Sequence, residues 1–419
     1  MKSNMDKEMS VAVVSEPIGK SLEEVACSFV FDEVHRLAKK GVNVHVIRGK
    51  VEEDSTSYGI HFHGIRKIID PQALNMLVKN ITFYPPISLL RNPIYLYWES
   101  LYASSVSKVI EKHNLDLIHA HFAYREGLVG LLAKARTKKP LIVTCHGYDV
   151  NVVPEICYGI RLRRGYDALV RLVLKNAGAI ICVSNDMKDK VLKLGVDKEK
   201  VFVVFNGVDT NLFRPPLKNE SDILNRIRSR FGINEDDFVI LSARHLRPVY
   251  GIEYIIYAAK IVARETKKAK FIIAGEGELK QRLAAMIHNM NLEKNVRLVG
   301  TIPRSLMPRL MQISSLYVNT SLADGLSPSM LEACSSGLPV VSFDVGGARD
   351  IIDDGVNGFL VPIKDWKMLA TRIIYLLQNV DVLKNMSRIA RKKAQEKFDI
   401  NKRIGTIMSI YENLSQIFK

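Results

Sequence analysis

The chain has 419 residues, of which 47% are hydrophobic and 25% charged, as is typical of a soluble globular protein with two domains. Its five cysteines (Cys27, Cys145, Cys157, Cys182, Cys334) form no C-x-x-C pair, which indicates neither a zinc knuckle nor a disulfide framework and favours a reducing compartment. The formal net charge of +16 predicts a polyanionic partner or surface, but no zinc-finger spacing or aromatic–basic signature supports nucleic acid as that partner.

Targeting signals are weak at the sequence level. The apolar run before Ser15 is too short for a signal peptide, and no apolar stretch approaches the length of a membrane-spanning helix. Basic clusters at 161–165 and 388–393 would suit contact with anionic lipid head groups, although most such runs are solvated faces. We therefore expect a cytoplasmic protein, with peripheral contact at the inner face of the membrane left open.

Short apolar runs alternate with helical stretches along the chain. The first half predicts strands at 10–16, 42–49, 115–121, 140–147 and 179–184, and the same rhythm restarts with strands at 238–246, 270–277, 296–300, 315–322 and 339–347. Strands that alternate with helices form parallel sheets covered on both faces. The sequence therefore predicts an α/β protein with two doubly wound, Rossmann-like domains.

The domain boundary is predicted from "NGVDTNLFRPPLKNESD" (206–222), whose Asn-Gly and Pro-Pro pairs indicate an irregular connection. We predict domains over 1–207 and 208–395, followed by a C-terminal helix over 396–419 that packs back toward the first domain. Residues 71–105 depart from the alternating rhythm. They could form a flap facing lipid or the acceptor, or an ordinary helical insertion on the first domain.

The stretch "SLADGLSPSMLEAC" (321–334) predicts a loop that leads into a short helix. Ser327 is a typical N-cap, Pro328 suits the first turn, and Gly337 suits the end of the helix. A helix N-terminus is a ready phosphate site, and carboxylates beside it are suited to accept from sugar or ribose hydroxyls. Asp324 and Glu332 could supply them, or could be a loop cap and a solvated helix residue.

These residues resemble a motif of a known protein family. Asp324 and Glu332 with "GLPVVSFDVGGARDIIDDGVNGFLVP" (337–362) resemble the E-x7-E region of the family 4 retaining glycosyltransferases, which have the GT-B fold. The segments "VFVVFNGVDTNLFRP" (201–215), "FIIAGEGELKQRL" (271–283) and "LIVTCHGYD" (141–149) are similar to other parts of that family in the same order. The likeness covers nearly the whole chain, and it implies two domains that face a cleft.

The resemblance implies a role for each matching residue. The first domain would lie on the acceptor side and the second would bind a nucleotide-sugar donor such as a UDP-, GDP- or ADP-sugar. Glu332 would hold ribose hydroxyls and Asp324 the transferred sugar, with the backbone of Gly325, Leu326 and Ser327 near the diphosphate. His146 and Gly19 would approach the donor from the first domain. Further donor contacts would come from the loops that hold His245, Arg247, Tyr250, Gly275 and Gly277.

No Asp-x-Asp pair occurs in the chain, so the resemblance implies transfer without a metal and without a cofactor. Two departures stand out: Asp324 replaces the usual Glu, and Tyr250 replaces the Lys that usually precedes Gly251. Gapless alignment puts His245 at the family's Arg position. Arg244 or Arg247 would then supply the cation for the diphosphate, with Lys20 as a further candidate.

Other residues that suggest chemistry have simpler interpretations. Cys145 alternates with His146 and is expected in the core rather than as a nucleophile. His119 and His121 share a strand face, as do His61 and His63, but the sequence shows no third ligand for a metal beside either pair.

We therefore predict a retaining glycosyltransferase that acts on a glycan or lipid-linked acceptor, with His146, Asp324, Glu332 and Arg244 as catalytic residues. The alternatives are a sugar-nucleotide epimerase, a glycoside hydrolase and a donor-binding scaffold without turnover.

Overall fold

The computed structural model describes residues 9–16, 18–19, 21, 28–65, 69–83 and 93–417. The chain divides into two compact units. Unit 1 comprises Met1–Phe205 and Arg403–Lys419, and unit 2 comprises Asn206–Lys402. Each unit is a parallel sheet with helices between its strands, which confirms the predicted α/β class with two Rossmann-like domains.

The sheet of unit 1 has eight strands in the order β3-β4-β2-β1-β5-β6-β7-β8, parallel throughout except for the β3–β4 pair. Its strands are β1 Ser10–Val14, β2 Asn43–Ile47, β3 Ser55–Ser57, β4 Ile60–His63, β5 Leu117–His121, β6 Leu141–Cys145, β7 Ala179–Cys182 and β8 Val201–Val203. Its helices are α1 Ser28–Lys39, α2 Pro71–Phe83, α3 Pro93–His113, α4 Arg125–Thr137, α5 Tyr166–Asn176 and α6 Asn185–Leu192.

The central strands of this sheet are buried along their whole length. Every residue of β1, β5, β6 and β7 is buried, so these strands read as nearly continuous apolar runs rather than as an alternating pattern. His119 and His121 are exceptions in β5, where both side chains are fully buried. A buried imidazole needs hydrogen-bond partners, and those partners are part of the site in unit 1 described below.

The sheet of unit 2 has six parallel strands in the order β11-β10-β9-β12-β13-β14. These strands are β9 Phe238–Ala243, β10 Ala269–Ala274, β11 Val296–Gly300, β12 Leu316–Asn319, β13 Val340–Phe343 and β14 Gly358–Val361. The helices of unit 2 are α7 Ser221–Arg230, α8 Ile252–Glu265, α9 Lys280–Asn289, α10 Met307–Gln312, α11 Pro328–Ser335, α12 Ala348–Ile351, α13 Trp366–Gln378 and α14 Val380–Lys397. The last helix of the chain, α15 Ile400–Ile417, begins in unit 2 and continues as the C-terminal part of unit 1.

The irregular stretch 71–105 contains α2 and the first part of α3. Leu101 and Tyr102 in α3 are buried, and the Tyr102 hydroxyl donates to the carbonyl of Ile47 at the end of β2, 2.7 Å away. This part of α3 therefore packs on the sheet of unit 1. Residues 84–92, which include Pro85 and Pro86, lie outside the described residues. Within the described ranges, no helix is both long and apolar enough to cross a membrane.

Candidate functional site

The N-terminus of α11 forms the centre of the candidate site in unit 2. The hydroxyl of Ser327 accepts from the amide of Met330 at 3.4 Å, and Pro328 opens the helix. Gly337 follows the helix with a φ of +79°, a left-handed conformation that favours glycine. These three features confirm the predicted cap, first turn and terminator of a helix whose N-terminal end carries a partial positive charge.

Arg244 brings its guanidinium group to this helix end from the loop after β9. One terminal nitrogen donates to the Ser327 hydroxyl at 2.8 Å, and the other donates to the Ser321 hydroxyl at 2.7 Å and forms an ion pair with Asp324. Only 8% of the Arg244 side chain is exposed. The structure therefore brings Arg244, Asp324 and Ser327 together, as the resemblance implies.

The neighbours of Arg244 keep its guanidinium group protonated. Burial lowers the pKa of the guanidinium, but the Asp324 carboxylate opposes it and the net effect raises that pKa. Among the described residues, Nε of Arg244 has no hydrogen-bond partner, although it is buried. A fixed cation beside a helix N-terminus is suited to stabilise the charge of a phosphate group.

Two other predicted donor contacts, His245 and Arg247, are not held at the start of α11 as Arg244 is. His245 and Arg247 both have exposed surface. The imidazole of His245 is nevertheless partly desolvated, and this desolvation, with a contribution from the charge of Arg247, lowers its pKa, so the imidazole is predominantly neutral near pH 7. Tyr250 is half-buried, and its ring lies beneath the Arg244 guanidinium. Of the two arginines proposed from the sequence, Arg244 is the one held at the helix end.

Two glycines in the loop after β10 allow the Arg244 loop to pack closely. A Cβ on Gly275 would lie 2.0 Å from the carbonyl oxygen of Arg244, and one on Gly277 would lie 2.4 Å from that of Leu246. Gly275 also has a φ of +143°. These positions therefore require glycine for backbone packing, whatever contact they make with a ligand.

The segment between Asp324 and the helix is also held through its backbone. The Gly325 amide donates to the Asp324 carboxylate at 2.9 Å, and the Gly325 carbonyl accepts from the Gly347 amide at 3.0 Å. The Leu326 carbonyl accepts from the Asn206 side chain at 2.9 Å. Gly325 and Leu326 are thus buried and fixed, while Glu332 is half-buried on the second turn of α11.

In unit 1, His146 follows β6 and is held by aromatic rings. Its Nε2 lies 3.0 Å from Nδ1 of His121, and its ring centroid lies 4.7 Å from that of Phe122 and 4.9 Å from that of Phe29. Burial, with a further contribution from His121, holds the pKa of His146 well below its usual value. Among the described residues, Nδ1 of His146 has no hydrogen-bond partner.

Asp149 anchors the loop that carries His146. Its carboxylate accepts from the amides of His146, Gly147 and Ala123 at 3.2, 2.9 and 3.0 Å. Burial raises the pKa of Asp149, and these backbone hydrogen bonds partly offset that rise. Asp149 is not among the residues predicted from the sequence; its position three residues after His146, across a glycine, is the signal that could have identified it.

Glu33 and Arg403 form a buried ion pair beside His121. Arg403 of α15 donates from Nε to the Glu33 carboxylate of α1 at 2.9 Å, and Glu33 Oε1 lies 3.6 Å from Nε2 of His121 and 3.8 Å from Nδ1 of His119. Burial raises the pKa of Glu33, but the positive charge of Arg403 opposes this rise and the net effect lowers that pKa below its usual value, so Glu33 is ionised. Glu33, His119 and His121 are close enough to share a metal ion, but Arg403 already pairs with the carboxylate and opposes a second cation.

The contacts from Glu33 through His121 favour one ring nitrogen of His146 as a hydrogen-bond acceptor. An ionised Glu33 favours a proton on Nε2 of His121, which leaves Nδ1 of His121 as an acceptor for the Nε2 proton of His146. The Nδ1 lone pair of His146 is then free to accept a hydrogen bond. Glu33 and Arg403 could not be predicted from the sequence because they lie on helices far along the chain from His146.

Two remaining predictions concern the loop after β1. Gly19 is buried in this loop. Lys20, the further candidate for a diphosphate cation, lies outside the described residues.

Cys145 is fully buried, and burial raises the pKa of its thiol well above the usual value, which agrees with a core role rather than a nucleophile.

Two sequence-family models match the chain: "Glycosyl transferases group 1" over residues 225–393 and "Glycosyltransferase Family 4" over residues 28–212. The chain is 23% identical to N-acetyl-alpha-D-glucosaminyl L-malate synthase of Bacillus anthracis over 346 residues, which cover 81% of this chain and 86% of the relative. It is 29% identical to UDP-Gal:alpha-D-GlcNAc-diphosphoundecaprenol alpha-1,3-galactosyltransferase of Escherichia coli over 312 residues, or 73% and 78% of the two chains. The crystal structure of Anabaena HepE in complex with UDP-glucose matches with a TM-score of 0.74 and 20% identity, over 97% of this chain and 100% of HepE.

Proposed function

Since the chain belongs to the family 4 glycosyltransferases, we propose that it transfers a sugar from a nucleotide-sugar donor to a glycan or lipid-linked acceptor, with retention at the anomeric carbon. The observation that carries this proposal is the Arg244 guanidinium, which is buried and held at the N-terminus of α11 by Asp324 and two serines. Such a cation is suited to stabilise a departing diphosphate.

UDP is the nucleotide that we propose. The name of the E. coli relative specifies a UDP-galactose donor, and the HepE crystals contain UDP-glucose. In this chain, Glu332 would accept from the ribose hydroxyls, and the partial positive charge at the start of α11 would favour the diphosphate. The E. coli relative acts on a diphosphoundecaprenol-linked sugar, which favours a lipid-linked acceptor here too.

The proposed chemistry needs no nucleophile from the protein. The acceptor hydroxyl attacks the anomeric carbon on the face that the diphosphate leaves, the C–O bond to the diphosphate breaks, and the acceptor proton passes to the departing phosphate oxygen. Arg244 stabilises the negative charge that develops on that phosphate. Asp324 and the Nδ1 lone pair of His146 would accept from sugar hydroxyls and position the ring.

A neutral His146 refines this assignment. Its lowered pKa makes it a poor partner for phosphate charge, whereas its unpartnered Nδ1 suits a hydroxyl donor. We therefore assign His146 to a sugar hydroxyl rather than to the diphosphate.

Nucleotide binding is the first test. Thermal unfolding of the wild type, Glu332→Ala and the exposed-site control Glu265→Ala would be followed with UDP, GDP and ADP, each with and without EDTA. A nucleotide at 100 times its Kd should stabilise the native state by about 2.7 kcal/mol. We expect a shift with UDP that persists in EDTA, is lost in Glu332→Ala and is kept in Glu265→Ala.

No shift with any nucleotide would overturn the proposed donor site. If UDP binds, incubation with UDP-galactose and a prenyl-diphosphate-linked N-acetylglucosamine, followed by NMR of the product, tests the transfer and its stereochemistry. Retention requires an α-linked product, because the donor is α-linked; a β-linked product would contradict the proposed mechanism.

A further inference from the structure

Three histidines from separate elements of unit 1 meet at the β2–β4 side of its sheet. His45 lies in β2, His63 ends β4 and His113 ends α3. The centroid of the His45 ring is 5.1 Å from that of His63 and 4.5 Å from that of His113. One possible ligand atom from each histidine lies within 4.8 Å of the other two.

The strand register places two of these imidazoles side by side. β2 and β4 are parallel neighbours in which His45 pairs with His61, so that His63 lies two residues along on the same face as His61. Nδ1 of His45 and Nε2 of His63 are 2.9 Å apart. Two nitrogen ligands of a tetrahedral metal with bonds of about 2.0–2.1 Å are roughly 3.3 Å apart, so the two nitrogens would need to move apart by less than about half an ångström to admit the ion.

A second observation points to a metal ligand at His63. The Asp54 carboxylate lies 3.1 Å from Nδ1 of His63, on the side of the ring away from His45. A carboxylate that accepts from the outer nitrogen fixes the tautomer and turns the other nitrogen toward the ion, as is usual for histidine ligands of zinc. His45 and His63 are only 2% and 6% exposed, so these orientations are set by packing.

The cluster opens onto a cavity of about 330 Å³, and Asp54, His63 and His113 lie in its wall. Lys108 and Lys112 also line this cavity, and Lys108 donates to Asp70 at 2.7 Å. Three protein ligands next to an open space leave a fourth coordination position for water or a small anion, whose charge the lysines would favour.

We propose that His45, His63 and His113 bind a divalent first-row transition metal, with Zn²⁺ as the best match to three imidazoles. This metal takes no part in the proposed sugar transfer. In the sheet order, β2, β1 and β5 separate β4 from β6, the strand that leads to His146, so the two strands are roughly 19 Å apart.

The site is testable without any activity measurement. Untagged full-length protein would be stripped with a chelator, dialysed against Zn²⁺ or Co²⁺ and then against buffer, and its metal content measured by mass spectrometry. We expect one equivalent per chain and, with Co²⁺, the intense visible absorption of tetrahedral coordination. His63→Ala and the more exposed His113→Ala should each lower metal affinity at least 100-fold, and Asp54→Asn should lower it about 10- to 100-fold.

The control is His288→Ala, which removes an exposed histidine of unit 2 and should leave the metal content unchanged. Substoichiometric metal in the wild type would overturn the proposal. So would an octahedral Co²⁺ spectrum that neither His63→Ala nor His113→Ala alters. Binding of UDP, measured in parallel, should be the same in the wild type and His113→Ala, which separates this site from the proposed donor site.

Discussion

The guanidinium carbon of Arg244 lies 4.5 Å from the centroid of the Tyr250 ring. Tyr250 stands where the family resemblance implies a lysine, and its ring cannot replace that charge. It instead packs against the one cation that is also held by Asp324 and the helix cap. The departure from the family pattern therefore changes how the Arg244 cation is positioned at the start of α11.

This contact predicts different effects for two substitutions of Tyr250. Tyr250→Phe keeps the ring face and should bind UDP like the wild type. Tyr250→Ala removes a cation–π contact of about 0.5–2 kcal/mol and should weaken UDP binding by up to about 30-fold. Calorimetric titration with UDP checks both variants. Equal weakening in both would show that the hydroxyl, rather than the ring, is what matters.

Asp324→Asn should separate nucleotide binding from transfer. In the free protein the Asp324 carboxylate pairs with Arg244 and competes with a diphosphate for it. Without this competition UDP should bind at least as tightly as in the wild type. Transfer should fall by roughly 10- to 100-fold, because a charged hydrogen bond of about 1.5–3 kcal/mol to the sugar is lost. Calorimetry and initial rates measure the two quantities.

The outcome that would contradict this assignment is a loss of UDP affinity as large as the loss of rate. Asp324 would then act mainly by holding Arg244 in place. Thermal unfolding of the same variant provides the control for structural damage, since Arg244 keeps its hydrogen bonds to Ser321 and Ser327.

The site in unit 2 was largely predictable because its signals are local. Ser327, Pro328 and Gly337 follow the rules for helix ends, and these residues fix where Asp324 and Glu332 lie relative to α11. Arg244 could be proposed only as one of two candidates. Its selection over Arg247 depends on the packing of the Gly275 and Gly277 loop, which no local pattern reveals.

The polar core of unit 1 was not predictable in the same way. His119 and His121 were recognised as one strand face, but their partners Glu33 and Arg403 come from α1 and α15, at opposite ends of the chain. The same limit applied to His63, whose neighbours His45 and His113 lie on other elements. Contacts of this kind depend on sheet order and helix packing rather than on spacing along the chain.

Breaking the pair between Glu33 and Arg403 should strongly destabilise unit 1. The Glu33 and Arg403 side chains are only 1% and 4% exposed. Arg403→Met leaves the carboxylate buried without its partner, so we expect the free energy of unfolding to fall by about 3–5 kcal/mol. The double variant Glu33→Met with Arg403→Met should recover much of this loss. Urea unfolding at neutral pH measures all three proteins, and a single-variant cost below about 1 kcal/mol would contradict a buried pair.

The buried histidines of β5 predict that stability falls in mild acid. Burial is the main cause that lowers the pKa of His119 to about 3 and that of His121 to about 4, whereas an unfolded histidine titrates near 6.5. Each group therefore contributes stability that is fully present above about pH 6.5. As the pH falls toward 4, the unfolded chain binds protons that the native protein does not, and each histidine costs about 1.4 kcal/mol per pH unit.

Urea unfolding between pH 7.5 and 5, in EDTA, tests this prediction through the slope of stability against pH. His119→Gln removes one of the two titrating histidines of β5 and keeps hydrogen-bonding atoms for Thr144 and Tyr411, which contact the two ring nitrogens of His119 at 2.7 and 2.6 Å. Below pH 6.5 the free energy of unfolding of His119→Gln should fall less steeply with pH than that of the wild type. The difference should approach the contribution of one proton, which is about 1.4 kcal/mol per pH unit. His288→Gln, an exposed replacement, should keep the wild-type slope. If the slope of His119→Gln also matched that of the wild type, His119 would not be the buried neutral group that the structure shows.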